Sequence, residues 1–303
     1  IMPVQMVSQV PYFQRETRRA LLPDLTIKDV LDYREVLKTN AKPEFLVLGN
    51  MSPGQAKELA HNVQSQLTTK GNEWCRNKDV LVDSKHLAMF EKTGGSTDSA
   101  LAAVYVPKGF DETVSTAYSS MLGQIIQPWF YNQLRTQEQL GYAVFAFPMS
   151  VGRQWGIGFL LQSNDKQPAY LYQRFKAFYP TAEKKLREMS AEDFAQMQQG
   201  MISEIMQAPQ TLSQEASQLS KDFDRGNLDF DSRDKVVAEI KKLTPQKLAD
   251  FFHQAVIEPQ GIAVLSQVSG SHNGKSDYAT PKGWKTWKEV SSLQQTLPLV
   301  DAK

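Results

Sequence analysis

The sequence predicts an α+β fold in which a mixed or antiparallel β-sheet is covered on one face by several helices. Apolar residues recur at helical spacing from about residue 112 to residue 134. Two runs rich in aromatic and β-branched residues follow, over residues 142–148 and 154–162, and the break between them contains Gly152. This arrangement is typical of a β-hairpin. Residues 99–106 are apolar on both faces, which predicts a strand in the centre of the sheet.

The remaining elements are predicted from capping residues and apolar periodicity. Thr26, followed three residues later by Asp29, starts a helix with a capping-box pattern. Pro180 lies inside a helical pattern that begins at Pro168, so we expect it to kink or split that helix. Residues 69–79 are polar and are predicted to form a linker. Other helices are predicted to begin at residues 52–53, 190, 212, 235 and 244, and other strands to cover residues 44–49, 80–82, 86–91 and 261–268.

Two segments of the chain follow the same order of elements, which predicts a repeated domain. A helix that starts at residues 25–26 precedes an apolar strand at 45–48, and a helix that starts at 243–244 precedes an apolar strand at 262–265. The two starts are 243 − 25 = 218 residues apart, so a domain of about 220 residues is expected to repeat. We predict three regions: the end of a preceding domain at 1–72, a complete domain at 73–268 and a C-terminal tail at 269–303, with most of the preceding domain upstream of residue 1.

Composition excludes several classes of protein. The 303 residues have room for about two domains, and 41% hydrophobic with 22% charged residues is an ordinary globular balance. The formal net charge is +1 and the basic residues are scattered, so no nucleic-acid partner is expected. No apolar run is long enough for a membrane span, and the first residues do not resemble a signal peptide. The single cysteine, Cys75, excludes an intramolecular disulfide.

The histidines do not form a metal-binding pattern. A zinc hydrolase needs three protein ligands and an open coordination position. The four histidines, His61, His86, His253 and His272, are far apart in the sequence. Glu58 with His61, and Asp250 with His253, are expected to be surface pairs on helices rather than metal ligands. We therefore expect no metal bound by this chain. Cys75 has no nearby histidine and is expected to be an incidental thiol.

The stretch LRTQEQLGY, residues 134–142, connects the long helix to the hairpin. Arg135 is predicted to lie in the last turn of the helix, Tyr142 to open the strand, and Gly141 to allow the sharp change of direction between them. One interpretation is structural: Arg135 neutralises the helix dipole and Tyr142 is half-buried in the sheet. The other is chemical: both side chains donate hydrogen bonds to a carbonyl oxygen, which strengthen as an oxyanion develops.

The strings LRTQEQLGYAVF and GIGFLLQSN resemble the C-terminal half of the M16 zinc metallopeptidases, the family of pitrilysin and insulin-degrading enzyme. The order of elements from about residue 25 to residue 268 also fits. The resemblance implies four similar α+β domains in two bowl-shaped halves, with residues 1–72 ending the third domain and residues 73–268 forming the fourth. It assigns to Arg135 and Tyr142 the role of reaching across to the zinc site and holding the substrate carbonyl and the developing oxyanion.

The resemblance also implies what this chain does not contain. The His-x-x-Glu-His motif of the family is absent, so zinc would be bound by an N-terminal half of the same protein, and this chain alone would be inactive. The implied substrates are peptides and small polypeptides, and the implied location is the periplasm. Two other hypotheses remain open. The chain could belong to a catalytically inactive structural subunit of the same fold, or it could be a peptide-binding module that uses a sheet edge.

Overall fold

The computed structural model describes residues 9–10, 15–67, 78–271 and 275–301, and these residues form two compact units. The first unit contains residues 9–10, 78–207 and 232–301. The second unit contains residues 15–67 and 208–231. The predicted linker and Cys75 fall largely outside the described residues, because only residues 78 and 79 of the segment 69–79 are described, and they belong to a strand.

Nine strands form two sheets within the described residues. In chain order they are β1 Gln9–Val10, β2 Lys78–Val80, β3 His86–Thr93, β4 Ser99–Val106, β5 Ala143–Val151, β6 Gln154–Ser163, β7 Ile262–Ser269, β8 Lys285–Thr286 and β9 Leu299–Asp301. The large sheet has the order β5-β6-β4-β7-β3-β8, and the small sheet has the order β1-β2-β9. Strand β3 runs parallel to β7 and β8 and the other pairs of the large sheet are antiparallel, so the predicted mixed sheet is confirmed. The central position of β4 and the β5–β6 hairpin are confirmed as well.

Most helices begin within a residue or two of the predicted start, but one begins at Ser232 instead of residue 235, and the helices Arg15–Leu21 and Val290–Gln294 were not predicted. In chain order they are α1 Arg15–Leu21, α2 Ile27–Asn40, α3 Pro53–Gln64, α4 Glu112–Tyr131, α5 Pro168–Arg187, α6 Ala191–Ile205, α7 Leu212–Asp224, α8 Ser232–Ile240, α9 Pro245–Phe252 and α10 Val290–Gln294. Thr26 and Asp29 form the predicted capping box of α2. Ser190 and Thr244 each accept a backbone N–H in the first turn of their helices, which satisfies donors that the helix itself leaves unpaired.

Alternate residues of the central strands enter two different apolar clusters, one on each face of the large sheet. Leu101, Ala103 and Tyr105 of β4 pack with the buried faces of α4, α5, α6, α8 and α9. Val104 and Val106 of the same strand pack in the second cluster, which includes residues of α10 and of the segment 80–82. The long helices therefore cover one face, as predicted, and the C-terminal tail covers part of the other. The tail also contacts the sheet through Trp287, whose backbone N–H donates to the Met89 carbonyl at 2.8 Å.

Two predictions about elements need correction. Helix α5 is not split at Pro180, although proline cannot donate the usual backbone hydrogen bond. Buried residues on both sides of it, including Phe178 and Ala182, keep the helix packed on the core and offset that loss. The strand predicted at residues 44–49 does not form. A strand needs a neighbour for its backbone groups, and no described residue pairs with this segment.

The second unit presents a large apolar surface. The predicted stripe of α2 exists, but Val30, Tyr33 and Leu37 are 59%, 61% and 47% exposed. Helices α2 and α3 contain no buried residue among those described. Exposed apolar patches of this kind usually mark interaction surfaces. The other large apolar side chains exposed in this unit include Leu21, Leu22, Leu25, Ile27, Leu31, Val36, Phe45, Met51, Leu59, Val63, Leu212, Leu228 and Phe230.

Candidate functional site

The segment that carries Arg135 is a widened last turn of the long helix. Helix α4 continues as a π-helix over Asn132–Gln137, which we call the first π-turn, and Arg135 lies in it. The Glu138 N–H donates to the Gln133 carbonyl at 3.0 Å, and the Leu140 N–H donates to the Leu134 carbonyl at 3.0 Å. Two backbone hydrogen bonds therefore connect residues 138 and 140 to residues 133 and 134 just before the hairpin begins.

The chain then changes direction within three residues. Gln139 has φ 54°, in the left-handed region that a non-glycine residue adopts only at a cost in energy. Gly141 is required by close approach: a Cβ there would lie 1.7 Å from the Gln162 carbonyl oxygen. Strand β5 follows directly after Tyr142. Arg135 lies in the last turn of the helix, as predicted, and Tyr142 lies directly before the strand rather than in it. The left-handed conformation falls on Gln139, so Gly141 is needed for close approach and not, as predicted, for the change of direction itself.

Arg135 and Tyr142 meet on the surface at this junction. The Arg135 Cζ atom lies 5.0 Å from the centroid of the Tyr142 ring, a cation–π contact. The residue Tyr142 is 75% exposed, so it is not half-buried in the sheet. Within the described residues, neither the Arg135 guanidinium nor the Tyr142 hydroxyl makes a hydrogen bond or an ion pair. Two sets of hydrogen-bond donors therefore face outward, side by side and held by stacking.

A charged contact ties the first π-turn to α5. The Arg174 Nε donates to Glu138 Oε2 at 2.7 Å, and the Arg174 Nη2 donates to Glu138 Oε1 at 2.8 Å. Gln133 adds a third bond, from its Nε2 to Glu138 Oε1 at 3.0 Å. The hydrogen bonds from Arg174, followed by that from Gln133, lower the pKa of Glu138 against the raising effect of partial burial. This contact could not be predicted from local sequence patterns, because its partners are 36 residues apart.

The outer edge of β5 is partly blocked. The side-chain oxygen of Gln127, on α4, accepts the backbone N–H of Ala146. Two residues later stands Pro148, which has no backbone N–H to donate. Pro148 also packs so closely on α4 that a Cβ at Gly123 would lie 2.7 Å from its Cδ. An added peptide strand would therefore lack two donors along this edge.

A second turn with the same spacing of backbone hydrogen bonds lies 120 residues later. Helix α9 continues as a π-helix over His253–Ile257, the second π-turn. The Glu258 N–H donates to the His253 carbonyl at 2.9 Å, and the Gln260 N–H donates to the Gln254 carbonyl at 3.1 Å, the same spacings as in the first turn. Strand β7 then follows Gly261, where a Cβ would lie 2.2 Å from the Val106 carbonyl oxygen.

The two turns differ at the two positions of interest. The sequences EQLGYAV and EPQGIAV align at 138–144 and 258–264, and this signal in the sequence could have revealed the relationship. Ala255 and Ile262 stand where the first turn has Arg135 and Tyr142, and both are buried. The hydrogen bonds of the turn therefore form without arginine or tyrosine. Neither residue is needed for these hydrogen bonds, although the backbone differs at one position, where Pro259 replaces the left-handed Gln139 and cannot adopt a positive φ.

The potential metal ligands do not come together. Within the residues described, no group of three or more His, Cys, Asp or Glu side chains could hold a metal ion. The His253 Nδ1 lies 3.0 Å from Glu183 Oε1, whereas Asp250 accepts a hydrogen bond from Arg187 Nη1 at 2.8 Å. His272 and Cys75 lie outside the described residues. Over the described part of the chain, no helix is long and apolar enough to cross a bilayer.

A cavity of about 570 Å³ opens near the second π-turn. Lys85, Lys176 and Lys282 line it together with Trp284 and Glu258. The cavity adjoins Tyr105, near the C-terminal end of β4. The first π-turn lies near the other end of β4, beside Gln162 and Ser163, which pair with the first residues of that strand. The Arg135–Tyr142 pair is not part of this cavity. The pair stands on an open surface rather than in an enclosed pocket.

Comparisons with known proteins show that the chain is similar to a group of peptidases. The family model described as PQQ synthase PqqF-like, C-terminal lobe domain 4, matches residues 121–220. Over 303 residues the chain is 70% identical to Protease 3 of Salmonella typhi, a match that covers 100% of this chain and 32% of the relative. Insulin-degrading enzyme of Homo sapiens is 25% identical over 256 residues, which cover 82% of this chain and 25% of that relative.

The similarity extends to a solved structure. The crystal structure of pitrilysin matches with a TM-score of 0.95 and 69% sequence identity, covering 100% of this chain and 32% of that one. The chain thus spans about a third of the length of Protease 3 and of the pitrilysin in the solved structure. The resemblance drawn from the strings around Arg135 and Tyr142 is confirmed over the whole chain.

Proposed function

Because the chain is homologous over its whole length to the C-terminal portion of pitrilysin-type M16 peptidases, we propose that it is part of a zinc endopeptidase that hydrolyses peptides and small polypeptides. In this proposal an N-terminal half of the same protein supplies zinc and the general base, and this chain closes the substrate chamber. Residues 1–72 end the third domain, residues 73–268 form the fourth, and residues 269–303 are its tail. The family resemblance further supports a periplasmic location.

One observation carries the proposed role of this chain: the outward-facing contact between Arg135 and Tyr142. The guanidinium and the phenol hydroxyl make no other polar contact with the described residues, so both have donors free for a substrate. The carbonyl oxygen of a peptide bond becomes more negative as its carbon is attacked. Donors aimed at that oxygen therefore bind the transition state more tightly than the substrate, which is how they raise the rate.

The second π-turn supports this assignment. If Arg135 served only the helix end and Tyr142 only the strand, the matching turn would be expected to carry similar residues. It carries Ala255 and Ile262 and makes the same backbone hydrogen bonds. The exposure of Tyr142 also argues against a packing role. A chemical role explains why this pair of exposed donors stands in only one of the two turns.

The residues described here do not fit a zinc site, and no step through the metal is assigned to them. What this chain contributes is binding and polarisation of the substrate carbonyl. The exposed apolar surface of α2 and α3 supports the presence of a large partner. We propose the N-terminal half of the same protein as that partner, because the relatives are about three times longer than this chain.

The other two hypotheses have less support. A structural subunit has no need of outward-facing donors, although this hypothesis predicts the same fold. A module that binds peptides along a sheet edge would need a free edge, and the edge of β5 is blocked at Ala146 and Pro148.

A reconstitution experiment tests the proposed function. This chain is mixed with a separately produced N-terminal half and zinc, and cleavage of a quenched fluorescent peptide is followed. We expect each half alone to be inactive and the mixture to cleave the peptide. If the halves associate and bind zinc but no peptide is cleaved, the structural-subunit hypothesis replaces the proposal.

A further inference from the structure

We propose that the contact between Arg174 and Glu138 is a positioning device that holds Arg135 in its reactive orientation. This inference rests on the proposed function, since it assumes that Arg135 donates to the substrate. Neither Arg174 nor Glu138 is assigned contact with substrate. Their role is exerted through the first π-turn, in which Arg135 stands three residues before Glu138.

The contact has the geometry of a rigid clamp. Two parallel hydrogen bonds, of 2.7 and 2.8 Å, join a planar guanidinium to a carboxylate, which fixes both direction and distance. The side chains of Arg174 and Glu138 are 33% and 20% exposed, so the contact is partly shielded from water. Gln133 donates to the same carboxylate, and the Gln133 carbonyl accepts the Glu138 N–H. Arg135 is thus enclosed in a loop whose two ends are tied to each other and to α5.

The second π-turn makes the same backbone hydrogen bonds without an arginine bound to its glutamate. Its Glu258 occupies the position of Glu138 and makes the same backbone hydrogen bond. The Glu258 side chain is 69% exposed, and its carboxylate lies 3.8 Å from His253 Nε2. Within the described residues no arginine binds Glu258. The backbone hydrogen bonds of this turn therefore form without an arginine bound to its glutamate, and the turn is tied to α5 through His253, whose Nδ1 lies 3.0 Å from Glu183 Oε1. Of the two turns, only the one that carries Arg135 and Tyr142 has an arginine bound to its glutamate.

The clamp is expected to affect the reaction rate because the donors of Arg135 and Tyr142 stand on an exposed surface, where little else holds them in place. Arginine side chains have many rotamers, and exposure leaves them free to move. A displacement of about 1 Å can reduce a rate by about 100-fold when a reacting group must be aligned. Gln139 holds a left-handed conformation just after the clamp, so the backbone there is under strain. Loss of the clamp would let the turn relax and carry Arg135 away from its position.

The test is a double-mutant cycle in the zinc-loaded full-length enzyme. Arg174→Gln, Glu138→Gln and Arg135→Ala are made singly, and each clamp variant is also combined with Arg135→Ala. We expect each clamp variant to lower kcat about 10-fold for a fluorogenic peptide, with KM changed less than 2-fold. In the Arg135→Ala background the same substitutions should have no further effect on kcat. A general loss of structure would instead lower kcat in both backgrounds.

Arg187 offers a matched control on the same helix. It binds Glu183 at 2.8 Å, with side chains 34% and 16% exposed, and it also binds Asp250 at 2.8 Å. Because it makes one more ion pair than Arg174, Arg187→Gln should lower the melting temperature at least as much as Arg174→Gln and leave kcat unchanged. Arg174→Lys should behave like Arg174→Gln, because an ammonium cannot make two parallel bonds. If Arg174→Gln does not fold, Glu138→Gln, which keeps the size of the side chain, provides the same test.

The outcomes separate this inference from the proposed function. If Arg135→Ala leaves kcat unchanged, the proposed function of Arg135 fails. If Arg135→Ala lowers kcat but the clamp variants do not, or if the losses multiply, the positioning inference fails while the proposed function stands.

Discussion

At the scale of single residues, the first π-turn combines a glycine required by close approach with two side chains that the backbone does not require. Gly141 lies against the Gln162 carbonyl oxygen, and Gly261 lies in the same way against the Val106 carbonyl oxygen. Arg135 and Tyr142 have no such counterpart in the second turn. The glycine is therefore explained by the fold, whereas the arginine and tyrosine need another explanation, which we place in substrate binding.

Gly141→Ala is expected to destabilise the protein strongly. The new Cβ would lie 1.7 Å from the Gln162 carbonyl oxygen, so the hairpin or the turn must move. We expect a loss of about 2–4 kcal/mol in the free energy of unfolding, measured by urea denaturation. Gly95→Ala is the control, because nothing lies within 4 Å of a Cβ there. Equal effects of the two substitutions would contradict the assigned close approach.

At the scale of elements, the sequence predicted correctly those helices and turns that are stabilised by contacts between residues close together in the chain. The helix at 112–131, the hairpin and the capping box at Thr26 were predicted because their determinants lie within a few residues of each other. The strand at 44–49 failed, because a strand depends on a partner that the local sequence does not specify. The candidate site was predicted at Arg135 and Tyr142 but without its clamp, because Arg174 comes from a helix that only folding brings near. The repeated turn was visible in the sequence through Glu-x-x-Gly-x-Ala-Val.

The clamp makes a prediction about pH. Its hydrogen bonds lower the folded-state pKa of Glu138 below the unfolded value, so the carboxylate stabilises the folded protein at pH values above the ordinary glutamate range. That contribution is lost as the pH falls through the folded-state pKa. The stability difference between wild type and Glu138→Gln should therefore shrink between about pH 6 and about pH 3. Melting temperatures measured across this range test it, and a difference that stays constant would exclude an ionised clamp.

At the scale of the whole molecule, the proposed function needs groups that the described residues do not contain. These residues offer the outward-facing donors of Arg135 and Tyr142 and a broad apolar surface on α2 and α3, but no group of metal ligands. In the proposed enzyme the missing chemistry comes from the N-terminal half. The apolar surface should then be buried against that half rather than exposed to water.

Val30→Asp is expected to weaken association with the N-terminal half by at least 10-fold, because a carboxylate would be desolvated in an apolar contact. Lys28→Gln on the same helix is the control, since it changes the net charge equally and lies on the opposite side of α2. The dissociation constant of the two halves can be measured by calorimetry. Equal affinities for Val30→Asp and wild type would show that this surface does not bind the N-terminal half.

The most direct measurement is the steady-state kinetics of the zinc-loaded full-length enzyme with Arg135→Ala and Tyr142→Phe. Each removed donor should reduce kcat by about 100- to 1,000-fold, or about 2.7–4 kcal/mol, with a small change in KM. Tyr131→Phe, which removes a hydroxyl from another exposed tyrosine at the end of α4, should behave like wild type. If Arg135→Ala and Tyr142→Phe retain the kcat of the wild type, the pair does not stabilise the transition state and the central claim is wrong.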